Sequence, residues 1–325
     1  MTYVPGARAI SLALCAVLAA CSSGATEVDV AKIVTISAND VASPMLPASV
    51  PVPGGTAVSE FGSPTRVKDP QRIIAVASGV AETIAALGMA NALVGRDIAS
   101  QGPLLTRVPV VTDAHALAAE RTLALRPTLL IIDAMTGPKT AISAVARAGV
   151  QVVALPQAWT VEAAKNRIHA VASLLGVPQR ADELIAKMHG QERFALRPKP
   201  RVAFLYVRGS AAVYLVGGKG SGADSLIDAA GAVDVGATSG LKAFTPLTPE
   251  ILATLKPDVL LVMTKGMASV GGATGLFALP GVAQTPAAKF KRAIAVDDGL
   301  LLAFGPSTVS LVKALHQALN AVTHE

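Results

Sequence analysis

Residues 120–132 read Glu120-Arg-Thr-Leu-Ala-Leu-Arg-Pro127-Thr-Leu-Leu-Ile-Ile132, and residues 250–262 read Glu250-Ile-Leu-Ala-Thr-Leu-Lys-Pro257-Asp-Val-Leu-Leu-Val262. Each copy sets a Glu ahead of a Pro at the same spacing, puts Leu and a basic residue directly before that Pro, and follows it with an apolar run. The runs read as buried strands. The stretch before each Pro reads as a helix, which a Pro cannot continue. Two copies of one unit predict two similar lobes in one chain. The equivalent carboxylates, Glu120 and Glu250, predict one docking charge per lobe, which favours a capture protein over a catalyst.

Outward from these copies, strands and helices alternate. Arg72–Ala77, Leu93–Gly95, Thr128–Asp133 and Gln151–Leu155 read as strands in the first half, with helices at Gly79–Leu87 and Ala141–Ala148. Arg201–Arg208, Val259–Met263 and Ala293–Val296 are their counterparts in the second, with helices at Gly222–Ala230 and Ser307–Val322. This alternation predicts an α/β fold with mostly parallel sheet. Between the halves, Val161, Ile168, Val171, Leu174 and Leu175 recur at helical spacing, and Thr160 is placed to cap the start. Gly176-Val-Pro178 interrupts, and a second helical run follows to Phe194. The expected architecture is two Rossmann-like α/β lobes, residues 67–158 and 198–325, joined by a long rigid spine helix over 159–197.

The N-terminus sets the compartment. Arg8 precedes the apolar run Ala9–Ala20, which is shorter than the roughly 20 residues that span a bilayer. It reads as a secretory signal over residues 1–20. Leu18-Ala19-Ala20-Cys21 resembles a bacterial lipobox, which implies a diacylglycerol on Cys21 and a lipid-anchored protein on the outer face of the cytoplasmic membrane. Residues 21–66 carry Pro44, Pro47, Pro51, Pro53 and Pro64 among small residues and read as a flexible tether. With Cys15 in the signal and Cys21 acylated, neither a disulfide framework nor a cysteine metal site is available. A 52% hydrophobic chain can bury a large core without them.

Charge and motifs exclude whole classes. The formal charge of +6 comes from scattered residues, and aromatics are 3% of the chain, so the clustered footprint of a nucleic-acid binder is missing. A solvated basic surface remains, with a mild bias towards anionic ligands or anionic lipid. There is no His-Glu-x-x-His, Gly-x-Ser-x-Gly or Walker loop, and no cysteine nucleophile in the mature chain. The glycine-rich Gly217–Gly222 lacks Walker spacing and reads as a turn.

Arg72-Ile-Ile, Glu82-Thr-Ile-Ala-Ala-Leu-Gly88, Glu120 with Leu125-Arg-Pro127, and Glu250 with Leu255-Lys-Pro257 carry a family resemblance. Over about residues 70–323 the chain resembles the ligand-binding lipoproteins of bacterial importers for cobalamin, iron siderophores and haem. The resemblance implies a ligand cleft between two lobes, and Glu120 and Glu250 seated on arginines of an ABC permease dimer with its ATPase. Gly95-Arg96-Asp97, Met263–Gly272, Leu279–Pro286 and Leu302–Pro306 resemble the haem importers of actinobacterial and related systems. Within that group the resemblance implies that His115 and Tyr206 are the axial pair of a bound haem and that Arg208 supports the tyrosine.

The residues themselves fit this chemistry. Tyr206 and Arg208 stand two apart on a strand and so share a face. A free tyrosine titrates near pH ~10, so forming phenolate at neutral pH costs about 4 kcal/mol, which ferric iron and a nearby cation offset. His115 precedes the Glu120 helix, and a neutral imidazole is a common metal ligand. Met263 and Met267 are candidate porphyrin contacts, and Arg96, Lys242 and Lys265 candidate propionate partners. His169, His189, His316 and His324 read as surface or packing residues. The reading is a monomeric carrier of ferric haem. A ferric-siderophore or cobalamin binder on the same fold stays open, as does, more distantly, a chelatase-like tetrapyrrole enzyme.

Overall fold

The computed structural model describes residues 32–52, 55–58, 64–188 and 190–324; the signal segment, Cys21 and His189 lie outside the described residues. The strands of the two main sheets, in chain order, are β1 (Lys32–Ile36), β2 (Ile73–Ala75), β3 (Leu93–Arg96), β4 (Leu129–Ile132), β5 (Gln151–Ala154), β6 (Arg201–Arg208), β7 (Val213–Gly217), β8 (Val233–Asp234), β9 (Phe244–Pro246), β10 (Val259–Met263) and β11 (Arg292–Val296). Among the helices are α1 (Val80–Ile84), α2 (Ala119–Ala124), α3 (Val161–Leu174), α4 (Gln179–Lys187), α5 (Pro249–Leu255), α6 (Asp298–Leu301) and α7 (Thr308–Thr323).

Two sheets form the lobes. The first is four-stranded, in the order β3-β2-β4-β5, with every pair parallel. The second is seven-stranded along β1-β11-β10-β6-β7-β9, with β8 beside β6. Its β1, β11, β10 and β6 run parallel, while β7 and β9 return antiparallel. Strands β4 and β10 are buried at every position. Parallel strands covered on both faces read as continuous apolar runs, which is why these stood out in the sequence.

The repeated unit folds the same way in both lobes, down to its hydrogen bonds. Arg126 and Lys256, the basic residues before the prolines, sit in the left-handed region at φ 46° and 43° and turn the chain out of α2 and α5. Arg72, just before β2, donates to the carbonyls of Leu125 (2.5 Å) and Arg126 (2.8 Å). Arg201, opening β6, donates to the same pair in the second lobe, Leu255 (2.7 Å) and Lys256 (3.4 Å). The motif is therefore a helix stop whose orphan carbonyls are satisfied by an arginine from the start of the neighbouring strand, the one that pairs with the strand after the helix.

The spine is shorter than expected. α3 is 14 residues, about 21 Å. Its first turns, Val161 and Ala164, lie in the second-lobe core, and Ile168, Val171, Ala172 and Leu174 lie in the first-lobe core. The Thr160 hydroxyl caps it, accepting from Ala163 N. Gly176, at φ 77°, and Pro178 end this rod, and α4 packs Ala181 and Leu184 into the first lobe alone. One helix thus joins the lobes, not the whole of 159–197.

The tether reading of 21–66 is also corrected where residues are described. β1 is an edge strand of the second lobe, in register from Lys32↔Arg292 to Ile36↔Val296. The chain then crosses to the first lobe, where Leu46 is buried and its N–H bonds Ala86 O at 2.8 Å. Thr56–Val58 pairs with Pro64–Arg66 in a small hairpin. Proline content hid a strap that runs over both lobes. Ile36 is 3% exposed within the second-lobe core. We therefore expect Ile36→Ala to lower the unfolding free energy by ~2–4 kcal/mol in urea titration. A change within ~0.5 kcal/mol would return the segment to a passive tether.

Candidate functional site

The C-terminal ends of the strands of both sheets open onto a cleft between the lobes, the place where ligands bind in open α/β folds. Its cavity is about 620 Å³, inside the ~300–1,000 Å³ range of small-molecule sites.

The floor is where the lobes touch. A Cβ on Gly79 would lie 2.2 Å from Ala303 O, and one on Gly305 would lie 2.4 Å from a Glu82 carboxylate oxygen. Only glycine lets the two backbones meet there. Arg167, on the buried stripe of α3, is 5% exposed. Its guanidinium donates to Ser78 O of the first lobe, to Ala303 O of the second (3.2 Å) and to Pro156 O of the connection (3.2 Å). Burial pulls its pKa down to about 10, and the nearby Asp133 opposes that shift. Glu82, on α1, makes a second clamp. Its carboxylate accepts from Ser43 Oγ (2.7 Å), Ser307 N (3.0 Å) and Ser307 Oγ (3.2 Å). Burial pushes this carboxyl up from the ordinary range, against the pull of the two serines.

One wall grows from β6. Tyr206 and Arg208 continue the face begun by Val202 and Phe204 and emerge beyond the second-lobe core into the cleft. The Tyr206 ring meets Phe244 edge-on at 5.8 Å. The Arg208 guanidinium carbon lies 4.7 Å from the tyrosine ring centroid. Two bonds fix it there, to Asp298 Oδ1 (2.8 Å) and Val207 O (2.9 Å). The other Asp298 oxygen accepts from Thr264 Oγ1 (3.1 Å) and Lys265 N (2.9 Å). A chain of support therefore runs from the start of α6 through Arg208 to Tyr206.

The facing wall belongs to the first lobe. His115 stands at the tip of the hairpin Thr112–Asp113/Ala116–Leu117, exposed and lining the cleft. The tip is anchored, because Gly137 N donates to His115 O (3.0 Å) and Asp113 pairs with Arg121 of α2. Ile98 and Met135 are 43% and 52% exposed on this wall, and Phe244 is 38% exposed on the other. These large apolar surfaces, with Trp159, give the cleft its character.

Four of the sequence-selected residues meet here: His115, Tyr206, Arg208 and Lys265, together with Met263. Two do not. Met267 packs against the second-lobe core, because residues 264–269 continue as a helix that turns it inward. Arg96 spends its guanidinium on the carbonyls of Asp97, Ser100 and Leu105 and so holds a loop instead of lining the cleft. Lys242 is also outside the lining. Glu120 and Glu250 are exposed in the first turns of α2 and α5, outside the cleft lining. Hydrogen bonds from its own backbone and Thr248 hold Glu250 below the usual carboxylate range. His169 pairs with Asp182 and His316 stacks on Phe194.

The sequence reading missed Arg167, Asp298, Met135, Ile98, Trp159 and Phe244 and gave Glu82 no role. One signal was available. Arg167 sits between Ala164, Ile168 and Val171, a charge on an apolar stripe, which demands buried partners.

Residues 73–300 match the family described as periplasmic binding protein. No curated protein sequence matches the chain. Among solved structures, the heme binding protein HmuT is 30% identical, with 91% of this chain and 99% of that chain covered and a TM-score of 0.81. Periplasmic heme-binding protein RhuT from Roseiflexus sp. RS-1, in apo form, is 35% identical over 78% of this chain and 100% of that chain, with a TM-score of 0.70. Periplasmic heme binding protein HutB of Vibrio cholerae is 28% identical over 77% and 99%, with a TM-score of 0.68. HmuT has also been solved with a His, a Tyr or an Arg replaced by Ala, and that Tyr and Arg stand two positions apart.

Glu82 makes the floor sensitive to pH. Between the ordinary carboxylate range and the raised value, the folded chain holds a proton that the unfolded chain has released, so stability falls as pH climbs through that window. Glu82→Gln removes this contribution. Its urea midpoint should decline less steeply than that of the parent as pH rises above the ordinary carboxylate range. Asp97 and Asp234, also raised by burial, leave a common slope in both proteins. Parallel profiles would show that Glu82 keeps its charge at no cost.

Proposed function

The chain belongs to the periplasmic binding protein family, and from that membership we propose that it captures ferric haem in the inter-lobe cleft and delivers it to an ABC importer. The observation that carries this reading is one apolar cleft faced by His115 from one lobe and by Tyr206 from the other, with Arg208 stacked on the tyrosine and locked by Asp298. HmuT, RhuT and HutB, all solved as haem-binding proteins, support it. So does the Tyr and Arg spacing in the replaced HmuT positions, which Tyr206 and Arg208 reproduce.

Each group has a physical task. The porphyrin faces suit the apolar walls of Ile98, Met135 and Phe244. Iron accepts the Tyr206 phenolate on one side and the neutral His115 imidazole on the other. Arg208 favours the phenolate by placing positive charge over the ring, and Asp298 keeps that charge in place. Lys265, exposed beside the cleft, is placed to meet a propionate. No bond of the cargo is made or broken, so the protein is a carrier. Glu120 and Glu250 dock one lobe each on the permease, where exposed ion pairs worth ~0–1 kcal/mol set orientation more than affinity. Cys21 holds this monomeric carrier to the outer face of the cytoplasmic membrane.

Titrating the purified protein with hemin tests the capture reading. A saturable spectral shift is expected, and Tyr206→Phe should abolish the phenolate charge-transfer band. Asp298→Asn should keep the band yet weaken binding by ~10–100-fold, as loss of outer support does at metal sites. An unchanged Tyr206→Phe spectrum would withdraw the axial assignment. For docking, Glu120→Ala with Glu250→Ala should leave hemin titration unaltered and stop haem-dependent growth; normal growth would reject the role.

A further inference from the structure

Five of the basic residues that look scattered in the sequence, with the carboxylate of Asp258 among them, are gathered by the fold at one pole of the second lobe. Parallel strands start together, so β1, β11, β10 and β6 bring their N-terminal residues to one edge, opposite the cleft. Lys32 lies beside Arg292 in register. Arg201 opens β6 and reaches the last carbonyls of α5, next to the exposed Lys256. Ala287 N bonds Pro257 O at 2.9 Å and carries Lys289 and Phe290 to the same place. Phe290 is 46% exposed, with the Lys289 ammonium 5.5 Å and the Arg292 guanidinium carbon 4.8 Å from its ring centroid. From Arg201 to Arg208 the strand rises ~23 Å, so the pole stands well away from the cleft.

We propose that this pole, formed by Lys32, Arg201, Lys256, Lys289, Phe290 and Arg292, rests on an anionic phospholipid surface. Charge is the first argument, because clustered Lys and Arg near a membrane are drawn to acidic headgroups. An exposed ring flanked by cations is the second, since such rings enter the headgroup boundary while their neighbours meet phosphates. The third is where the chain leaves the fold. β1 begins at this same pole, and residues 22–31 alone separate it from Cys21. Fully extended, they reach at most ~40 Å. This third argument rests on the lipid-anchor reading; the first two do not. The pole would hold the carrier with its cleft turned away from the bilayer, open to arriving cargo.

Vesicle co-sedimentation at low salt tests the contact. The mature chain without its acylated residue, residues 22–325, carries neither an acyl group nor the apolar run Ala9–Ala20, so its binding belongs to the folded body. It should sediment with vesicles of phosphatidylcholine containing ~30% phosphatidylglycerol, remain in solution with pure phosphatidylcholine, and be released by salt within the screening range. Lys256→Glu with Lys289→Glu should weaken binding at least ~10-fold. Phe290→Ser should weaken it while leaving salt release intact. Hemin titration serves as the folding control, because all three positions lie outside the cleft lining. Equal binding to neutral vesicles, or binding unmoved by the double reversal, would overturn the proposal. Capture by heparin with none by vesicles would do the same and point to a soluble polyanion. Fractionation of cells carrying intact Cys21 reports on the anchor separately.

Discussion

The buried guanidinium of Arg167 is the constraint from which the rest of the molecule follows. A cation taken out of water is costly unless every donor is used. Arg167 meets most of this demand through its two terminal nitrogens, which bond carbonyls from both lobes and from the connection between them, while its Nε–H stays buried without a partner. Those carbonyls sit in loops at the strand ends, where the cleft begins. The charge therefore fixes the lobes relative to each other at the point where a ligand would sit above them. Glu82 adds a second tie built on acceptor oxygens, joining α1 to the start of α7. Gly79 leaves room for the backbone at Ala303, and Gly305 leaves room for the held carboxyl of Glu82.

Above this floor the two walls differ in how firmly they are held. Tyr206 belongs to a strand in the middle of the larger sheet, and Arg208 is locked between a ring face and a carboxylate. His115 is carried by a short hairpin tied by backbone bonds to residue 137. A ligand gripped from both sides would find a rigid tyrosine and a histidine with more freedom to adjust, a division suited to closing on a metal centre from one direction.

The fold was legible where chemistry repeats locally. The two Glu-to-Pro units announced two lobes because a helix stop and a buried parallel strand leave the same residues wherever they occur. Tyr206 and Arg208 were legible as a pair because strand geometry guarantees a shared face. His115 was not legible from its neighbours; a family resemblance selected it. Asp298 was invisible because its partner Arg208 is 90 positions away and no periodicity links them. β1 was obscured by the proline-rich residues after it, since a five-residue edge strand has little pattern of its own. Met267 was misplaced because a helix, not a loop, follows β10.

The clamped floor also bears on traffic. A carrier whose lobes keep one arrangement presents nearly the same docking face whether it is loaded or empty. A ligand changes that face only as far as its affinities for two arrangements of the lobes differ. For an importer served by such a carrier, empty molecules would occupy the same seats as full ones and act as competitive inhibitors of uptake. The importer would have to sense cargo through the cargo itself, at the mouth of the cleft. Under scarcity, extra carriers would then slow import, and the best ratio of carrier to permease would be close to one.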